Sequence, residues 1–208
     1  MKLIINYSIY LVTDHNCLGG RDFLACIEDA LCGGVTLVQL REKNVDGGIF
    51  LQKALAVKKL CDKYKVPLLI NDRIDIALAS EAAGVHLGQN DIPPAIARDL
   101  LGPDAIIGVS AHNCEEALAA EKNGADYLGV GAVFPTNSKE DASEVGLNML
   151  KKIRKISKLP IVGIGGINAQ NYVQVRAAGA QGAAIISGIL GAENIEDEVK
   201  KIKSTISD

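Results

Sequence analysis

Short runs rich in β-branched residues alternate with longer amphipathic stretches from one end of the chain to the other, and this rhythm restricts the folds open to it. The strand-like runs are Ile9–Thr13, Thr36–Leu40, Pro67–Ile70, Val85–Leu87, Ala105–Val109, Tyr127–Val130, Pro160–Ile164 and Ala183–Ile186. Helical stretches are expected near residues 22–32, 48–64, 74–83, 93–101, 114–123, 147–157, 169–178 and 194–206. The β runs are about 4–6 residues long and the helical ones about 9 or more, a difference that separates strand from helix. Strands alternating with helices imply a parallel sheet. Eight complete β–α units predict closure into a single (β/α)₈ TIM barrel of the α/β class, with an open doubly wound sheet as the competing architecture. One domain over residues 1–208 is expected, near the lower limit of roughly 200 residues for such barrels.

The punctuation agrees with this division. Gly33-Gly34, Ala83-Gly84, Asn123-Gly124 and Ala178-Gly179 put glycine where left-handed helix C-caps are expected. Asn194, followed by Glu196 and Asp197, reads as an N-cap with acidic residues near the positive end of the helix dipole. Hydrophobic residues make up 48 % of the chain, aromatics only 4 %, and Trp is absent. That balance supplies a sizeable aliphatic core and excludes a disordered chain.

Charge and composition exclude other classes. The net charge is −3, with basic and acidic residues interspersed, so the footprint of nucleic-acid binding is missing. No apolar stretch reaches the roughly 20 residues that span a bilayer. The N-terminal Met1-Lys2-Leu3-Ile4-Ile5-Asn6 is too short and too soon polar for a signal peptide, so a cytoplasmic location is expected. The five cysteines, Cys17, Cys26, Cys32, Cys61 and Cys114, form no C-x-x-C pair. Cys26, Cys32 and Cys61 fall in helical patterns and are expected to be buried free thiols. His15, His86 and His112 form no spaced ligand set, and His86, inside a strand, reads as a satisfied, partly buried side chain.

In barrels of this kind chemistry gathers at the C-terminal ends of the strands. Thr13-Asp14, Gln39 to Lys43, Asn71-Asp72, Gln89 to Asp91, Ser110, Thr136 to Lys139, Gly165-Gly166 and Ser187 occupy those positions. Gln39, Arg41 and Lys43 alternate with Val38, Leu40 and Glu42, so a period of two points the polar three into the barrel mouth. Two cations in a semi-enclosed space call for a negative partner. Alternatively the strand ends at Leu40, and Arg41 and Lys43 are solvated loop charges.

Asp72 and Asp91 leave neighbouring strands, which lie about 4.8 Å apart, and so can approach one site. Hard oxygen ligands without nearby His or Cys suit Mg²⁺, which takes one or two carboxylates with substrate phosphate and water. Taken alone, Asp72-Arg73 reads equally well as a helix cap with a surface charge. Gly165-Gly166 and Ser187 follow the seventh and eighth strands, where barrels often bind phosphate. Phe134 to about Val145 is a long polar segment, either a binding lid or a plain surface loop.

Read together, these segments are familiar. Tyr10-Leu11-Val12-Thr13-Asp14, Val38 to Lys43, Ile70-Asn71-Asp72-Arg73, Gly84 to Gln89, Val133-Phe134-Pro135-Thr136-x-Ser138-Lys139 and Ile164-Gly165-Gly166-Ile167 resemble the thiamine-phosphate synthase family over nearly the whole chain. The resemblance implies joining of a hydroxymethylpyrimidine diphosphate to a thiazole phosphate, with pyrophosphate released. It implies that Gln39, Arg41, Lys43, Asn71, Ser110 and Lys139 bind the pyrimidine diphosphate, and that Asp72 and Asp91 hold Mg²⁺. Thr136, Ser138, Gly166, Ile186 and Ser187 would bind the thiazole phosphate, Ser138 standing where the family usually has Thr. Arg41, Lys43, Ser110 and Lys139 would carry catalysis through charge compensation and positioning. The rivals are a related thiazole tautomerase, which needs no diphosphate or metal, a non-catalytic phosphate-ligand-binding barrel, and another phosphosugar barrel enzyme. Oligomeric state has no signature in the sequence.

Overall fold

The computed structural model describes residues 3–136 and 145–206. Among them, eight parallel strands close into a barrel, each pairing with the next and the last with the first. They are β1 (Ile9–Val12), β2 (Leu37–Leu40), β3 (Leu68–Asn71), β4 (Gly84–Leu87), β5 (Ile106–Ala111), β6 (Tyr127–Val130), β7 (Ile161–Ile164) and β8 (Gly182–Ile185). Around them lie α1 (Phe23–Gly33), α2 (Gly47–Tyr64), α3 (Ile74–Ala79), α4 (Pro94–Leu101), α5 (Cys114–Lys122), α6 (Gly146–Ile156), α7 (Tyr172–Ala177), α8 (Ser187–Leu190) and α9 (Ile195–Ser204). The closed ring is the (β/α)₈ architecture expected; the open sheet is excluded.

Strand alternation divides the core in two. Ile9, Leu11, Val38, Leu40, Ile70 and Val85 pack outward against the helices. Tyr10, Val12, Leu37, Leu69, Ile106, Tyr127 and Val162 fill the barrel interior. Successive strand residues point to opposite faces, so each strand serves both cores. The outer wall is drawn tight between α1 and α9: a Cβ built on Gly33 would lie 2.6 Å from Val199 Cβ and 2.8 Å from the Glu196 carbonyl.

The helix ends differ from expectation in places. α3 stops at Ala79 rather than near 83, because the Ser80 hydroxyl donates to the Ile76 carbonyl at 2.7 Å and the chain turns back toward the sheet. Gly84 is therefore no helix cap and opens β4 instead. Gly34, Gly124 and Gly179 do follow helix ends with left-handed backbone. α7 begins at Tyr172 rather than 169, since Asn168 and Asn171 hold local turns through their side-chain oxygens. The short α8 and a 3₁₀ turn at His15–Cys17 were not expected. Asn194 caps α9 by accepting from the Asp197 N–H at 3.0 Å. Cys26 and Cys61 are buried, but Cys32 is exposed on the outer side of α1, its thiol 3.2 Å from the Tyr64 hydroxyl. No helix among the described residues is long and apolar enough to cross a membrane.

Candidate active site

Polar side chains collect where β1 to β5 end. Gln39 is the last inward residue of β2, buried, and its amide donates to the Tyr10 hydroxyl at 2.5 Å. β2 ends at Leu40, yet Arg41 is no solvated loop charge. Its guanidinium lies 3.1 Å from Asp14 Oδ2, and its backbone N–H donates to Thr13 Oγ1 at 3.0 Å. Lys43 Nζ lies 3.3 Å from Asp72 Oδ2, with 56 % of the side chain exposed, so it stays free to move. Each cation expected to need a ligand's charge thus already faces a carboxylate of the protein. Glu42, between them, turns away and is clamped by His15 and Lys53, both at 2.8 Å.

Asp72 follows β3 with φ of 62°, a left-handed backbone that few side chains tolerate and Asp accepts better than most. Its N–H donates to the His86 carbonyl across to β4, fixing the turn at 2.9 Å. Asp91 is held by the Gly88 N–H, 2.7 Å from its Oδ2. The two carboxyls come within hydrogen-bonding reach. Burial, then this contact and the negative charge of Asp91, push the Asp72 carboxyl above the usual range, while Lys43 pulls it down. Two acids held together against such a cost, beside a left-handed backbone, mark a functional site more than a cap. Asp72 is not a capping side chain at all: Arg73 holds the cap position of α3, without a side-chain cap bond.

Asn71 closes β3, buried, in register with His86 on β4. Ser110 lies within β5, which runs one turn of the pleat further than expected, and its hydroxyl is 3.0 Å from His86 Nε2. The loops after β6, β7 and β8 form the opposite sector of the rim. A Cβ on Gly166 would lie 2.5 Å from the Pro135 carbonyl, and one on Gly188 2.2 Å from the Ile167 carbonyl. Thr136, Gly166, Ile186 and Ser187 therefore share that sector, with Ser187 exposed as the first residue of α8. Ser138 and Lys139, with most of the segment read as either a lid or a surface loop, lie outside the described residues.

Among the described residues no three His, Cys, Asp or Glu side chains converge as a metal-ligand cluster. Asp72 and Asp91 remain as a pair, and a pair with open surroundings fits an ion that draws its other ligands from phosphate and water better than it fits a closed protein cage. Three residues were given no role by the sequence reading. Asp14, placed only at the end of the first strand, orients Arg41, and Tyr10 with Tyr127 joins Gln39 to His86 inside the barrel.

The model describing thiamine monophosphate synthase matches residues 9–189. The chain belongs to the thiamine monophosphate synthase family. A protein named thiamine-phosphate synthase from Clostridium acetobutylicum is 55 % identical over 196 residues, 94 % of this chain and 93 % of that one. Another of that name, from Ruminiclostridium cellulolyticum, is 50 % identical over 202 residues, covering 97 % and 96 %. The solved thiamine phosphate pyrophosphorylase from Pyrococcus furiosus superposes with a TM-score of 0.90 at 38 % identity, over 97 % of this chain and 96 % of that one. As a member of the thiamine monophosphate synthase family, the chain is a transferase of thiamine biosynthesis acting on small molecules.

Proposed function

We propose that the chain condenses 4-amino-5-hydroxymethyl-2-methylpyrimidine diphosphate with thiazole phosphate to give thiamine phosphate and pyrophosphate. The bond broken joins the pyrimidinylmethyl carbon to the diphosphate oxygen, whose electron pair leaves with pyrophosphate. The bond formed joins that carbon to the thiazole nitrogen. In a dissociative order the pyrimidine-stabilised cation comes first, and no protein nucleophile is needed. What such a step needs is compensation of charge on the leaving group.

The observation that carries this reading is the meeting of Arg41, Lys43, Asp72 and Asp91 at neighbouring strand ends, each cation already opposite a carboxylate. A diphosphate entering there takes over Arg41 and Lys43, while Asp72 and Asp91 are left to hold Mg²⁺. The ion would supply Lewis-acid charge neutralisation on the phosphate oxygens. Arg41 offers a planar fork to those oxygens and Lys43 a mobile point charge, joined by Lys139. Gln39, Asn71 and Ser110 line the pyrimidine, and Thr136, Ser138, Gly166, Ile186 and Ser187 hold the thiazole phosphate.

The test is pyrophosphate release from the pyrimidine diphosphate, with and without thiazole phosphate and Mg²⁺. Release that requires all three is expected. Release indifferent to thiazole phosphate or to the metal overturns the assignment.

A further inference from the structure

A line of hydrogen bonds crosses the barrel beneath the mouth, outside the charged cluster. Gln39 Nε2 meets the Tyr10 hydroxyl at 2.5 Å, Tyr10 meets the Tyr127 hydroxyl at 2.9 Å, Tyr127 meets His86 Nδ1 at 2.8 Å, and His86 Nε2 meets the Ser110 hydroxyl at 3.0 Å. Gln39, Tyr10, Tyr127 and His86 are all buried. The strands are shaped around these rings. A Cβ at position 108 would lie 2.1 Å from the Tyr127 ring, and one at 129 would lie 2.9 Å from His86 Cε1. Gly108 and Gly129 weaken strands β5 and β6, and the space they leave is filled by the relay.

Proton counting gives this line a direction. Burial holds the Tyr10 and Tyr127 hydroxyls protonated throughout the ordinary pH range, so each has one proton to give. Gln39 Nε2 donates to Tyr10, whose own proton finds its one acceptor in Tyr127, and the Tyr127 proton is then given to His86 Nδ1. A neutral imidazole carries a proton on one nitrogen only; with Nδ1 accepting, Nε2–H donates to Ser110. The Ser110 proton is then free to donate onward, and the Gln39 carbonyl oxygen is free to accept. Among the described residues that oxygen has no hydrogen-bond partner, and it is not sealed off. The opposite order, with Tyr127 donating to Tyr10, would leave the buried Tyr10 proton without an acceptor among the described residues.

We propose that Tyr10, Tyr127 and His86 are positioning residues whose relay sets Gln39 as an acceptor and Ser110 as a donor, selecting a pyrimidine with an amino donor beside a ring-nitrogen acceptor. The inference rests on the reading above, in which Gln39 and Ser110 face the pyrimidine. A ring bearing an oxo group in place of the amino group presents the opposite pattern and leaves both ends unpaired.

The experiment compares wild type with Tyr127→Phe, which keeps the ring and removes the central hydroxyl. Pyrophosphate release is measured with the aminopyrimidine diphosphate and with its 4-oxo analogue. Wild type is expected to prefer the amino compound by at least about 100-fold in kcat/KM, and the variant by less than about tenfold. The KM for the aminopyrimidine diphosphate should rise about tenfold or more in the variant, while that for thiazole phosphate stays within about twofold. Long-range proton–nitrogen NMR on the protein alone should show His86 protonated at Nε2 in wild type and as a tautomer mixture in the variant. Unchanged preference in Tyr127→Phe, or His86 protonated at Nδ1 in wild type, overturns the relay. Wild type that releases no pyrophosphate while showing the Nε2–H tautomer overturns the functional reading instead, and with it the ligand assigned here. If Tyr127→Phe does not fold, Tyr10→Phe removes the neighbouring hydroxyl and carries the same measurements.

Discussion

Asp72 combines three features that stability alone disfavours: left-handed backbone, partial burial and a second carboxyl in contact. Asp72→Asn keeps the shape and the tolerance for that backbone while removing the charge. Turnover is expected to fall by about 10²–10³, with denaturant stability equal to or above wild type because a like-charge contact is relieved. Near-wild-type pyrophosphate release at saturating Mg²⁺ would remove the metal role from this residue. Asp14→Ala tests the partner of Arg41. It leaves the guanidinium without its carboxylate, and kcat/KM for the pyrimidine diphosphate should drop by about 10–100-fold as Arg41 loses its placement. An unchanged value would show that Arg41 needs no support. The strand-end rule makes Arg41, Lys43, Asp72 and Asp91 readable, because all four follow the C-terminal ends of neighbouring strands, although β2 stops at Leu40 and the period of two does not reach Arg41 and Lys43. It says nothing about Asp14 pairing with Arg41, or about Tyr10 meeting Tyr127 across 117 residues. Such contacts depend on which interior layer each strand contributes to, and the register between strands is not written in any one segment.

At the level of elements, α1 and α9 approach so closely that position 33 admits no side chain without movement of Val199 or the Glu196 carbonyl. Gly33→Ala should cost about 1–3 kcal/mol through overpacking, read as a lower urea midpoint with an unchanged slope. A variant as stable as wild type would mean that α9 can slide outward freely. Existence and order of the β–α units were legible, since length and branching separate strand from helix. Several boundaries were not. Ser80 ended α3 early by bonding backward to Ile76, and Asn168 with Asn171 delayed α7. In each case a local polar side chain competes with the helix for backbone partners, an outcome composition alone does not decide. The burial of Cys32 was misjudged for a related reason: a helical period fixes which residues share a face but not where the buried arc stops.

For the whole molecule, substrates and metal that bind only the folded barrel add to its stability. Pyrimidine diphosphate with Mg²⁺, each at about 100 times its dissociation constant, should add about 2.7 kcal/mol per site occupied, seen as a rise in Tm. Chelation should cancel the metal-dependent part, and Asp72→Asn should lose it from the start. A Tm indifferent to metal in the presence of diphosphate would argue against coupled binding.

The pairing of β8 back onto β1 has a consequence for how copies of this chain can meet. A sheet with both margins joined offers no unpaired backbone row for another polypeptide to extend. Self-association, if it occurs, is left to side chains on the outer helices and rim loops. Strand-by-strand aggregation would first require the β1–β8 seam to part.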